Sequence, residues 1–187
     1  MPGTRRAPQV RGFAPIARAD AATLILGSMP GAASLRAGEY YAHPRNLFWP
    51  ILGELAGARP ELAYRARVRA LLAARLALWD VLAACARTGS LDADIDPASI
   101  VANNFRAFFA RHPRITRVFF NGATAERCFR RHVLPGLPQM SMPIVFARLP
   151  STSPAHAALS FDRKLAAWRA IVAAADAKSA APSGRRV

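Results

Sequence analysis

Four short apolar runs punctuate the chain: Thr23–Leu26, Leu76–Trp79, Arg117–Phe120 and Pro143–Ala147. Each is nearly unbroken in apolarity, the pattern of strands covered on both faces. Between them the apolar positions recur at helical spacing. Asn46–Ala56 sets Leu47, Ile51, Leu52 and Leu55 along one face, and Glu61–Ala74 does the same with Leu62, Val68, Leu71 and Leu72. Pro97–Arg111 opens with proline just inside the helix, where its missing N–H costs nothing, and aligns Ile100, Val101, Phe105, Phe108 and Phe109. Ala123–Val133 stops before Pro135-Gly136, and Ala157–Ala174 carries Leu165, Trp168 and Ile171. Strands alternating with helices predict an α/β fold with a mostly parallel sheet and helices on both faces. No internal repeat is visible.

The chain has 187 residues, 52% of them hydrophobic, enough for one compact domain with a substantial core. Residues 1–20 are rich in Arg, Pro and Ala and read as a flexible basic arm. Residues 21–176 read as the single folded domain, and 177–187, ending Ser183-Gly184-Arg185-Arg186, as a disordered tail. No apolar stretch is long enough to span a bilayer. The arginines at the N-terminus lack an apolar core behind them, which argues against a secretory signal. Two cysteines, Cys85 and Cys128, are too few to hold an iron–sulfur cluster or close a tetrahedral zinc site by themselves. They read as reduced core thiols of a cytoplasmic protein. The expected setting is the bacterial cytoplasm, at the nucleoid.

Charge narrows the choice of partner. Twenty-six basic residues oppose 11 acidic ones, a formal net charge of +15. Lys164 and Lys178 are the only lysines, so arginine dominates. Compositional bias accounts for arginine over lysine, but not for the shortage of acids. Such a surface concentrates polyanions, and a phosphodiester backbone is the obvious candidate.

Ligands of open parallel sheets bind beyond the carboxyl ends of the strands. Those ends deliver Gly27–Gly31, Asp80, Asn121-Gly122 and Leu149–His156, which are expected to meet in one crevice. Gly27-Ser28-Met29-Pro30-Gly31 is a turn that lets backbone approach a ligand closely. It lacks the Gly-Lys-Ser/Thr of a P-loop and the spacing of a nucleophile elbow. A loop with Tyr40 and Tyr41 follows, then Asn46, Phe48 and Trp49. Aromatic faces there suit a planar base, while Trp49 reads as core and Asn46 also reads as a helix cap. Asn121 offers a donor and an acceptor together, as base-edge reading needs. Asp80 can accept from a ligand N–H or cap a turn. In Leu149–His156, two prolines stiffen a loop whose Ser151, Thr152 and Ser153 can donate to phosphate oxygens, with His156 as a further donor.

Taken together, Gly27–Gly31, Tyr40-Tyr41-Ala42-His43-Pro44-Arg45-Asn46-Leu47-Phe48-Trp49, Leu78–Leu82 with Arg87–Asp92, Phe120-Asn121-Gly122 and Leu149–Ala155 resemble the uracil-DNA glycosylase superfamily. Within it they are similar to the hypoxanthine (deoxyinosine) DNA glycosylase branch. The resemblance implies a three-layer α/β/α sandwich around a four-stranded parallel sheet. It implies base flipping and hydrolysis of an N-glycosidic bond in DNA, the repair of a deaminated base. Separately, a monomer working without a metal or other cofactor is expected, with DNA as its partner, and too few cysteines are present for the iron–sulfur relatives. Many relatives carry Asp or Asn in the glycine turn to position water. Met29 stands there, which argues against strong uracil activity, and the resemblance shifts the catalytic role to Asn46. Gly27, Ser28, Met29, Tyr41, Phe48, Asp80 and Asn121 would then surround the base, and Ser151, Thr152, Ser153 and His156 would grip the DNA backbone. No lysine is placed for a Schiff base, so strand nicking is not expected. The alternatives are a uracil- or mismatch-specific glycosylase, a non-catalytic nucleic-acid-binding module, and a hydrolase using Ser28 or Ser151 with His156 and Asp80.

Overall fold

A computed structural model describes residues 7–89, 91–138 and 143–172. Strands β2 (Thr23–Gly27), β3 (Leu76–Asp80), β6 (Arg117–Asn121) and β7 (Val145–Leu149) form one parallel sheet in the order β3-β2-β6-β7. Every residue of β2 and β3 is buried. Alternation along these strands divides the core in two. Leu24, Leu26, Ala77, Trp79, Val118 and Phe120 face one side, where α4 (Phe105–Arg111) and α5 (Ala123–His132) pack. Ile25, Leu76, Leu78 and Phe119 face the other, against α2 (Phe48–Ala56), α3 (Tyr64–Ala73) and α6 (Phe161–Trp168). The molecule is therefore the three-layer α/β/α sandwich with a four-stranded parallel sheet.

Several features depart from the sequence pattern. A second, antiparallel sheet joins β1 (Gln9–Arg11), β4 (Leu82–Ala86) and β5 (Val101–Ala102). One residue, Val81, separates β4 from β3, so the apolar run reads as one strand. The helix expected over Pro97–Arg111 is broken. Asp96 Oδ1 accepts the Ala98 N–H at 3.0 Å and confines Pro97–Ser99 to a single 3₁₀ turn. The helix proper starts only after Asn104, whose Oδ1 accepts the Ala107 N–H at 3.0 Å. Likewise Ser160 caps α6, which begins later than Ala157. The short helix α1 (Ala32–Ala37) was not expected either.

A further departure concerns the basic arm. Val10 pairs with Cys85, Ile16 bridges Leu78, and Phe13 meets Tyr40 edge-on at 5.1 Å. Those apolar side chains stitch part of the arm to the domain. Residues 1–6 and the expected tail, 177–187, lie outside the described residues. Among the described residues, no helix is long and apolar enough to cross a membrane.

Candidate active site

The glycine turn sits at the end of β2, pressed against β3. A Cβ on Gly27 would collide with the Asp80 carboxyl group and stand 3.0 Å from the Tyr41 hydroxyl. Glycine is needed there for close approach. Ser28 Oγ donates to Asp92 Oδ1 at 2.6 Å, and the buried Arg87 donates to the Pro30 carbonyl at 2.7 Å. Met29 is 6% exposed and belongs to the core, so its side chain lines the turn from behind.

Gly38, in the left-handed conformation at φ 67°, ends α1 and turns the chain into the aromatic loop. Tyr41 also lies there, at φ 55°. For a bulky residue this conformation costs ~1–3 kcal/mol and needs its surroundings to hold it. Its ring stacks on Phe48, centroids 4.0 Å apart and planes 19° off parallel, and its hydroxyl accepts from Asn121 Nδ2 at 3.1 Å. Tyr41 thus occupies the space between Phe48, Gly27 and Asn121. Burial, with Asp80 second, pushes its phenol above the usual range. Phe48 is fully buried, also meeting Trp49 and Trp168 edge-on, so it backs Tyr41 and presents no face of its own. Trp49 is core, its Nε1 donating to the Tyr40 carbonyl at 2.8 Å.

Asn46 precedes α2. Its Oδ1 accepts the Phe48 N–H at 3.0 Å, which fixes the amide plane. Among the described residues nothing hydrogen-bonds its Nδ2. One residue on, the Leu47 N–H donates to the Thr152 carbonyl at 3.0 Å. This bond ties the aromatic loop to the loop after β7.

Thr152, fully buried, is the hub of the site. Its N–H donates to Asn121 Oδ1 at 2.9 Å, and its Oγ1 accepts from Asn121 Nδ2 at 2.9 Å. Both Nδ2 protons of Asn121 are therefore committed, one to Thr152 and one to Tyr41, which leaves one lone pair on Oδ1 for a ligand. Next in the chain, Gly122 has φ 96°, and a Cβ there would lie 2.9 Å from that of Ser151. The loop braces itself with two small turns, as Ser151 Oγ accepts the Ser153 N–H at 3.2 Å and Ser153 Oγ accepts the Ala155 N–H at 3.3 Å. Each hydroxyl keeps its proton to donate. The loop tip is open and includes the exposed His156. From below, buried Lys164 donates to the His156 carbonyl at 2.7 Å, and Trp168 to that of Pro150 at 2.9 Å. Burial lowers the Lys164 pKa.

Asp80 is 3% exposed, and its Oδ2 has no hydrogen-bond partner among the described residues. Burial first, then the charge of Asp92, raises its pKa from 3.8 to about 8, against the opposing pull of Arg87. At neutral pH it is mostly a neutral carboxyl group, able to donate as well as accept.

The strand ends thus bring Gly27, Asp80, Asn121 and Thr152 together with Tyr41 in one connected cluster, with Ser28 next to Gly27 and Ser151 and Ser153 at its rim; Asn46 is tied to it through the backbone bond of Leu47 to Thr152. Among the described residues no Ser–His side-chain pair forms: Ser28 bonds Asp92, and Ser151 bonds its own loop. Sequence pattern gave no role to Arg87, Asp92 or Asn103, whose Nδ2 bonds the Asp80 carbonyl at 2.8 Å. The only signal for the first two was their place within Arg87–Asp92, a segment of the resemblance. Among the described residues no cluster of His, Cys, Asp and Glu could hold a metal ion, and both cysteines are buried and unpaired.

The molecule is an α/β/α sandwich with a polar cluster at its strand ends, and the family model for the uracil DNA glycosylase superfamily matches residues 15–174. The chain belongs to that superfamily and is a DNA glycosylase. It is 38% identical over 113 residues to a hypoxanthine DNA glycosylase of Methanosarcina barkeri, covering 60% of this chain and 70% of that one. It is 35% identical over 116 residues to a hypoxanthine DNA glycosylase of Methanosarcina acetivorans, covering 62% and 72%. Among solved structures it is similar to the solution NMR structure of a candidate uracil DNA glycosylase from Methanosarcina acetivorans. The TM-score is 0.69 and the identity 31%, over 88% of this chain and 99% of that one.

Proposed function

We propose that this protein is a monofunctional glycosylase that removes hypoxanthine from deoxyinosine in DNA, with Asn46 as its catalytic residue. One observation supports the reading: the Leu47 N–H bond to the Thr152 carbonyl, with the Thr152–Asn121 and Asn121–Tyr41 bonds beyond it, ties the segment that carries Asn46 to the loop that carries the Tyr41 ring. The hypoxanthine assignment draws on the two curated relatives and on Met29, an apolar side chain where a water-positioning group would stand.

The damaged nucleotide is extruded at a cost of a few kcal/mol, least where pairing is already weak. Its base stacks on Tyr41, a contact contributing ~1–3 kcal/mol. The neutral Asp80 carboxyl group pairs with the N–H and carbonyl edge of a deaminated base, helped by the remaining lone pair of Asn121. Ser151 and Ser153 donate to backbone phosphates, with His156 at the loop tip. Cleavage of the glycosidic bond leaves positive charge on the sugar and negative charge on the departing base. Dipoles fixed by the glycine turn stabilise the latter. Asn46 aligns water on C1′, where alignment matters more than deprotonation.

A panel of labelled duplexes carrying deoxyinosine, deoxyuridine, deoxyxanthosine or no lesion, treated with enzyme and then alkali, tests the proposal. The expected result is alkali-dependent cleavage fastest at deoxyinosine, with no nicking before alkali. Uracil removed faster than hypoxanthine would reassign the substrate, and binding without release of any base would reduce the protein to a binding module.

A further inference from the structure

Beside the site, α5 and the edge strand β7 enclose a groove of about 530 Å³, lined by Ala123, Glu126, Arg127, Arg130, Arg131 and Arg148. The arginines are all exposed. Residues 123, 126, 127, 130 and 131 share one helix face by their three- and four-residue spacing. Arg148 joins them from β7. Two residues on from Phe146, it shares the face on which Phe146 packs against Phe120 and Phe129, the side of the sheet that α5 covers. One acid opposes this charge: Glu126 pairs with Arg130 at 3.0 Å and with Arg148 at 3.6 Å. The groove keeps a strong positive excess.

Its position gives that charge a direction. Ala123 follows Gly122, which abuts Ser151, and Arg148 directly precedes Leu149-Pro150-Ser151. The groove thus begins where the phosphate-facing hydroxyls end. From Ala123 to Arg131 is ~12 Å along the helix, the rise of about three phosphates on one strand. Guanidinium groups suit such a track because each can fork onto phosphate oxygens.

We propose that Arg127, Arg130, Arg131 and Arg148 grip the DNA backbone flanking the extruded nucleotide, and that Glu126 restrains this grip by holding Arg130 and Arg148 when DNA is absent. This rests on the reading of the protein as a DNA glycosylase and says where the duplex runs.

Fluorescence anisotropy on an undamaged labelled duplex, titrated at several salt concentrations, tests it. The slope of log K against log salt should shrink by about 0.9 for each arginine contact removed in Arg127→Ala/Arg148→Ala, with binding at least ~10-fold weaker at 0.1 M salt. Arg65→Ala/Arg69→Ala removes the same charge from α3, on the opposite layer, and should leave the slope unchanged. Glu126→Gln should bind more tightly than wild type. Equal slope changes in both arginine pairs, or weaker binding by Glu126→Gln, would overturn the proposal. Because the duplex carries no lesion, the outcome is separate from the excision assay. A protein that excises hypoxanthine with an unaltered slope loses this groove and keeps its activity; one that excises nothing yet shows these slopes loses the activity and keeps the groove.

Discussion

At the scale of single residues, the site works by committing some polar groups and sparing others. Asn121 spends both donors inside the protein and Asn46 spends its carbonyl, so what remains for a ligand is oriented in advance. Tyr41 is held in a conformation its side chain disfavours, and the stack on Phe48 and the bond from Asn121 are what hold it. Tyr41→Ala removes the platform and should lower kcat/KM for deoxyinosine by roughly 5- to 150-fold, the equivalent of one stacked base. Single-turnover kinetics at several enzyme concentrations checks this. Asp80 makes a separate prediction. Its folded-state pKa is raised from 3.8 to about 8, so between those values the native protein keeps a proton that the unfolded chain has shed. This group's contribution to stability is present below pH ~4 and is lost as pH rises through about 8. Asp80→Asn should flatten that fall, measured as the thermal midpoint from pH 4 to pH 9; an undiminished slope would show that Asp80 is not the group titrating.

At the scale of elements, the loops after β2, β6 and β7 behave as one unit because backbone and side-chain bonds cross between them. Gly122 is the tightest joint, with a positive φ and Ser151 pressed against it. Gly122→Ala should cost ~1–3 kcal/mol and slow excision more than it weakens duplex binding, since it displaces Asn121 and Thr152 together. Urea unfolding alongside binding isotherms reads both quantities. Strands β2, β3 and β6 were legible in the sequence because burial leaves a nearly unbroken apolar run, whereas β7, an edge strand exposed at Val145 and Arg148, runs two residues later than the apolar run Pro143–Ala147. The small antiparallel sheet was not, because Val81 alone separates β4 from β3. The helix expected over Pro97–Arg111 failed for a local reason: Asp96 and Asn104 side chains claim backbone N–H groups that a continuous helix would use. Part of the arm escaped the flexible reading because Val10, Phe13 and Ile16, scattered among arginine and proline, find apolar partners only in the folded state.

At the scale of the whole molecule, a basic surface surrounds a narrow reactive edge. The charge of +15 concentrates DNA, and the sheet decides which atoms meet it. The convergence of the strand ends was legible because parallel topology dictates it. The braces behind the site were hidden, because Arg87, Asp92 and Asn103 act through contacts far from them in sequence. Everything in the account depends on Asn46 aligning water at the sugar of an extruded nucleotide. The most direct measurement pairs the single-turnover excision rate of Asn46→Ala on a deoxyinosine duplex with its affinity for the same duplex. The account predicts a rate at least ~100-fold below wild type with affinity within about threefold, since positioning is lost and grip is not. Excision at the wild-type rate would contradict it.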